Sequence, residues 1–285
     1  VVYDYALPAL YTLFLWWFST GVILYLDGLP RHTFRWSLLG ATALLIAALW
    51  ALVATSSDTT VTAAYVAFTC GVIAWGWNEM CFLMGFLTGP RKQACPEGCR
   101  GWRHFGHGIQ AILHHELAII ATALVLLALT WDQPNQVGAW TFLILWFMRL
   151  STKLNVFLGV PNLAEEFLPE HLQYLQHFFT RKRMNLLFPF SVTGATLATA
   201  WLIRTSLTPE MGAFETVALA LMATLMVLAV IEHWFLVLPP PTTLIWGWGL
   251  RSHEQRDSGL VEMATAAVPP RSQRSAGICA GPPNS

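Results

Sequence analysis

The sequence predicts an all-α integral membrane bundle of about seven transmembrane helices, with the N-terminus periplasmic and the C-terminus cytoplasmic. Three observations carry that prediction. Of 285 residues, 55% are hydrophobic and 11% charged, against roughly 25% charged in soluble domains. Apolar runs of about 20 residues, the length that crosses about 30 Å of hydrocarbon, recur along the chain. Basic residues gather in alternate connections, the bias that sets orientation.

Taken in order, the predicted spans are residues 5–26, 34–54, 61–87, 109–131, 138–160, 186–207 and 214–238. The first has no basic segment or small-residue cleavage site before it, so it reads as a retained helix and not a signal peptide. The fifth carries the heaviest charge, Arg149 and Lys153. Arg31 and Arg35 mark the first connection, Arg91, Lys92, Arg100 and Arg103 the third, and Arg181, Lys182 and Arg183 the fifth. "TSSDTT" and "DQPNQV" hold no basic residue, and the sixth connection holds only Arg204. The odd connections are therefore expected in the cytoplasm.

Residues 1–250 form the expected membrane domain. Within it, residues 161–185 form the longest connection. Pro169 and Glu170 open a segment closed by Arg181, Lys182 and Arg183, and Leu172, Leu175, Phe178 and Phe179 recur along it. That pattern predicts an amphipathic helix on the cytoplasmic face. Residues 251–285 are rich in Ser, Gly, Pro and Ala, and predict a disordered tail. Many of the 14 tryptophans, including Trp36, Trp102, Trp131, Trp140, Trp246 and Trp248, fall near span ends as an interfacial belt.

No Walker loop, dinucleotide fingerprint or nucleophile elbow is present. A formal net charge of zero gives no argument for a nucleic-acid partner. The lipid bilayer is the partner that composition demands.

The chemistry-bearing residues are those that a membrane makes expensive. "HFGHGIQAILHHE" places four of the nine histidines, His104, His107, His114 and His115, within twelve residues. At about 100° per residue they fall on one helix face, with His107 and His114 nearly eclipsed and Glu116 pointing elsewhere. Glu79 in the third span, Arg149, Lys153 and Asn155 in the fifth, and Glu232 and His233 in the seventh lie at similar predicted depth. Glu165, Glu166, Glu170 and His171 are placed to cap them. The expected metal-ligand set is Glu79, His107, His114, His115, Glu116, Glu232 and His233, with His107, His114 and His115 as cofactor-binding residues. Bacteriochlorophyll or another tetrapyrrole, or an iron or zinc ion, fits such groups. The competing interpretation is a structural charge network that fixes helix register. Of five cysteines, Cys95 and Cys99 form "CPEGC"; no second cysteine pair completes four ligands. The repeated boxes of histidine-box membrane oxygenases are absent.

Several long stretches carry a family resemblance: "LWWFSTGVILYLDGLPRHTFRWS", "NEMCFLMGFLTGPRK", "GWRHFGHGIQAILHHELAI", "KLNVFLGVPNLAEEFLPEHLQYL" and "EHWFLVLPPP". From about Tyr3 to Leu250 the chain resembles the PuhE family, multi-span proteins of the photosynthesis gene cluster of purple and related phototrophic bacteria. The resemblance implies assembly of the photosynthetic reaction centre and light-harvesting complex, linked to bacteriochlorophyll production. It also implies the inner, intracytoplasmic photosynthetic membrane, with complex subunits or pigment-synthesis enzymes as partners. It brings no catalytic residues. The alternatives are a metal-dependent membrane enzyme of tetrapyrrole metabolism using the His/Glu cluster, and a transporter or sensor built on the intramembrane charges.

Overall fold

The computed structural model describes residues 2–96, 98–163, 168–238 and 245–252. Within them the architecture is all-α: α1 Leu7–Asp27, α2 Phe34–Thr55, α3 Val61–Leu83, α4 Gly101–Leu129, α5 Val137–Leu158, α6 Leu187–Ser206 and α7 Ala213–Phe235. Six of these, all but α6, are long and apolar enough to cross a membrane. The 20-residue α6 contains Arg204 and several hydroxyl residues, and packs along α7.

Helix ends follow local chemistry. Thr60 caps α3 by accepting from the Ala63 amide at 3.2 Å. Gly159, at φ 124°, ends α5 in a conformation that favours glycine. Asn185 joins two ends at once. Its side-chain oxygen accepts from the amides of Leu187 and Phe188, at 2.8 and 3.0 Å. Its amide group donates to the carbonyls of Asn155 and Gly159, at 3.1 and 3.0 Å. The start of α6 and the end of α5 are thereby satisfied together.

The third span ends earlier than its apolar run implies, at Leu83 instead of 87. Gly85, at φ 81°, turns the chain away. The fourth starts eight residues before the expected 109, at Gly101, because "GWRHFGH" continues the helix beyond the apolar stretch. The expected amphipathic segment is a 3-10 helix, Glu170–Phe178. Its Leu172, Leu175 and Phe178 repeat every three residues, the 3-10 period, and bury one face against Phe82 and Ala111.

The centre of the bundle is α3, which packs against α1, α2, α4, α5 and α7. A core of Leu52, Phe68, Ile119, Leu126, Phe142, Val217 and Leu221 surrounds it. Close approach is possible because Gly71 faces the Gly138 carbonyl and Gly138 faces the Ala67 carbonyl, the small-residue contact typical of membrane helices. Outward residues such as Trp50, Phe190 and Leu197 stay exposed, as a bundle solvated by lipid requires.

Trp36, Trp102, Trp131 and Trp140 are exposed, in keeping with the expected belt. Trp246 and Trp248 are not part of it. Residues 245–252 are helical and lie along α1. The Trp17 indole donates to the Ile245 carbonyl at 2.8 Å, and Trp246 donates to the Trp17 carbonyl at 3.3 Å. Trp248 and Gly249 sit on Gly21. This segment therefore runs in the same sense as α1. Glu165, Glu166 and the tail from residue 253 lie outside the described residues.

Candidate functional site

The predicted polar residues separate into an intramembrane network and a cluster at the basic end of the bundle. The network begins on α3. Glu79 is 7% exposed, and its Oε2 accepts from Arg149 Nη2 of α5 at 3.2 Å. Its Oε1 lies 3.9 Å from His115 Nε2 of α4. His115 is fully buried, neither ring nitrogen has a hydrogen bond among the described residues, and its ring packs 4.4 Å from that of Phe82. One helical step further, Glu116 Oε1 accepts from Lys153 Nζ of α5 at 2.6 Å. The same ammonium stands 6.0 Å over Phe82.

The α7 residues have different partners. Glu232 Oε1 accepts from the Trp16 indole of α1 at 2.7 Å. His233 Nδ1 meets the Ala229 carbonyl and its Nε2 meets Ser151 Oγ, each at 2.9 Å. Glu232 is exposed, as is much of the Arg149 side chain at 44%. Both lie on the flank of the bundle, where each is within the other's electrostatic reach. Trp16 lies in the middle of α1. From it α1 continues about 16 Å to Asp27, at about 1.5 Å per residue. These groups therefore lie well inside the end of the bundle. Three carboxylates (Glu79, Glu116, Glu232) face two cations.

The histidine stripe does not converge on one point. His115 turns into the core, His114 is exposed, and His107 lies in the first turns of α4 against a loop. Two thiols approach His107 Nδ1: Cys95 Sγ at 3.0 Å and Cys99 Sγ at 3.4 Å. Cys95 Sγ is also 3.4 Å from His104 Nδ1. Among the described residues, the His, Cys, Asp and Glu groups close enough to share one ion are Cys95, Cys99 and His107. The cysteine pair alone, without its histidine neighbours, falls short of a ligand set. The readable signal was the run of two cysteines and two histidines from Cys95 to His107, which needs no second cysteine pair.

The loop that carries the thiols is fixed on α4. The Thr88 carbonyl accepts from the His115 amide at 3.0 Å, and the Arg91 amide donates to the Gln110 carbonyl at 3.5 Å. A Cβ on Gly89 would overlap the carbonyl of Ala111. Burial, reinforced by Cys99, raises the Cys95 thiol above its ordinary pKa, while Arg91 and Arg103 pull it down. Beside this loop a cleft of about 280 Å³ opens, lined in part by Arg31, Lys92, His171 and Tyr174.

Comparison with known proteins places this architecture in a family. No solved structure matches the chain. It is 38% identical over 270 residues to a protein of Rhodobacter capsulatus described as "Uncharacterized 30.4 kDa protein in puhA 5'region"; the match covers 92% of this chain and 97% of that protein. The model of the family "Protein of unknown function (DUF3623)" matches residues 2–257. The chain belongs to the DUF3623 family.

Proposed function

We propose that this protein is a membrane assembly factor for the bacterial photosynthetic reaction centre and light-harvesting complex, acting in the inner, intracytoplasmic photosynthetic membrane. The relative's position in the puhA 5' region and the PuhE-like segments support the setting. The observation that carries the activity is the charged cluster on the bundle's flank, where exposed Arg149 and Glu232 stand beside Trp16 and the buried Glu79. Charged groups at hydrocarbon depth are costly and ordinarily find partners. An arriving transmembrane subunit, or the polar substituents of a bacteriochlorophyll, would supply hydrogen bonds there. Among the proposed cofactor-binding residues, exposed His114 is the imidazole available for the magnesium of such a pigment. His115 is fully buried against Phe82 and Glu79.

The second reading, a metal-dependent enzyme of tetrapyrrole metabolism using Glu79, Glu116, Glu232, His115 and His233, carries less weight. Arg149 occupies Glu79, Lys153 occupies Glu116, and His233 is held by Ser151. The test is purification of the tagged full-length protein in mild detergent from a phototrophic host. Reaction-centre subunits or bacteriochlorophyll should accompany the wild type. Arg149→Leu with Glu232→Gln should lower both that association and complex yield several-fold, with the protein still inserted. Unchanged complex yield in the double variant would overturn the assembly reading.

A further inference from the structure

We infer that Cys95, Cys99 and His107 form a binding site for one zinc-like divalent ion, completed by an inward shift of the neighbouring His104, and that this ion fastens the α3–α4 loop to the start of α4. The donor geometry is the first argument. A tetrahedral ion with Zn–S about 2.3 Å and Zn–N about 2.0 Å sets neighbouring ligand atoms about 3.5 Å apart. The three Sγ to Nδ1 separations are 3.0, 3.4 and 3.4 Å.

Hydrogen bonding alone accounts poorly for this convergence. An imidazole Nδ1 offers one proton or one lone pair, and a thiol is a weak donor. Yet two sulfurs meet His107 Nδ1 and two Nδ1 atoms meet Cys95 Sγ. One ion between Cys95, Cys99 and His107 satisfies both contacts to His107 Nδ1, and His104 stands beside Cys95 to complete the set.

The backbone is arranged to deliver the ligands. Cys99 closes a turn by donating its amide to the Pro96 carbonyl at 3.1 Å. Gly98 and Gly101, at φ 75° and 62°, reverse the chain where other residues are strained. The three-residue spacing of His104 and His107 then puts both rings on one face of α4. Packing orients the ligands too: the His104 ring stacks on Phe157 at 5.3 Å and lies 5.5 Å from Phe178. Two thiolates with two neutral imidazoles balance the charge of a divalent ion, and binding releases the two thiol protons to solvent. Beyond its attachment to α4 near Thr88 and Gly89, the segment 91–100 forms no helix or strand among the described residues.

The experiment uses the full chain in mild detergent. Elemental analysis should find one zinc per chain, and cobalt substitution should give thiolate-to-cobalt charge-transfer absorption. Cys95→Ser, Cys99→Ser and His107→Ala should each weaken zinc binding on the order of a hundredfold or more, while His114→Ala leaves it unchanged. Because ligand variants can misfold, alkylation of the wild type provides an independent measurement. Cys95 and Cys99 should be protected from iodoacetamide and become reactive after chelation. Absence of zinc uptake at micromolar concentration, equal uptake by the cysteine variants, or a Cys95–Cys99 disulfide in the native protein would each overturn the site.

Discussion

Lys153 and Glu116 show how single residues in this bundle are coupled. Their 2.6 Å contact joins α5 to α4, with side chains only 21% and 18% exposed. Lys153→Met leaves a carboxylate without its cation, and Glu116→Gln leaves the reverse. Each single change should lower the thermal midpoint in detergent. The double variant should lose less than the sum, with a coupling on the order of 1–3 kcal/mol. Strict additivity would mean that the pair contributes no mutual stabilisation. The sequence already marked these residues as expensive, since a charge within a span is conspicuous. It did not pair them. Helical arithmetic showed correctly that Glu116 points away from His107, but the partner came from a helix 37 residues away. Trp16 and Glu232 are separated by 216 residues, and no local periodicity reports such a contact. The same limit scattered the histidine stripe. A shared face aligns side chains, whereas neighbouring elements decide which one is buried, paired or exposed.

At the scale of elements, apolar length located all seven helices, because the hydrocarbon sets span length independently of tertiary detail. Boundaries failed where polar residues extend a helix, as before His107, or where glycine ends one inside an apolar run, as at Gly85. Helix–helix contact was also hidden, since glycine in a membrane helix is common on any face. The crossing of α3 and α5 separates the cases. A Cβ on Gly71 would meet the Gly138 carbonyl at 2.5 Å, and one on Gly138 would meet the Ala67 carbonyl at 2.6 Å, whereas one on Gly40 in α2 meets nothing within 4 Å. Gly71→Val and Gly138→Val should therefore prevent close packing and strongly reduce folded protein, since overpacking alone costs about 1–3 kcal/mol. Gly40→Val should stay within about 0.5 kcal/mol of wild type. Size-exclusion profiles of fluorescent fusions would measure all three. Equal damage at Gly40 would contradict the packing argument.

For the molecule as a whole, the open question of architecture is parity, and it turns on α6. The other six long helices have the apolar character of a span, while α6 is short and carries hydroxyl residues along its length. Its contacts argue that it crosses nonetheless. It begins beside the end of α5, where Asn185 binds Asn155 and Gly159. It ends beside the start of α1, where Tyr5 donates to the Ser206 carbonyl at 2.9 Å. Those two points lie at opposite ends of the bundle, so the helix bridges the same thickness as its neighbours. The last span then reaches the basic end in two pieces. Glu232 on α7 meets Trp16 in the middle of α1, and residues 245–252 continue along α1 in the same direction. If α6 crosses, seven crossings put the two termini on opposite sides, and the bias of loop charge predicts a cytoplasmic C-terminal side. A paired periplasmic and cytoplasmic reporter should show cytoplasmic activity after Ser252 and near Arg183, and periplasmic activity in "DQPNQV" and near Glu210. Cytoplasmic activity near Glu210 would make α6 a non-crossing helix and reduce the span count to six. The direction of α7 and the placement of the basic end would then both require revision.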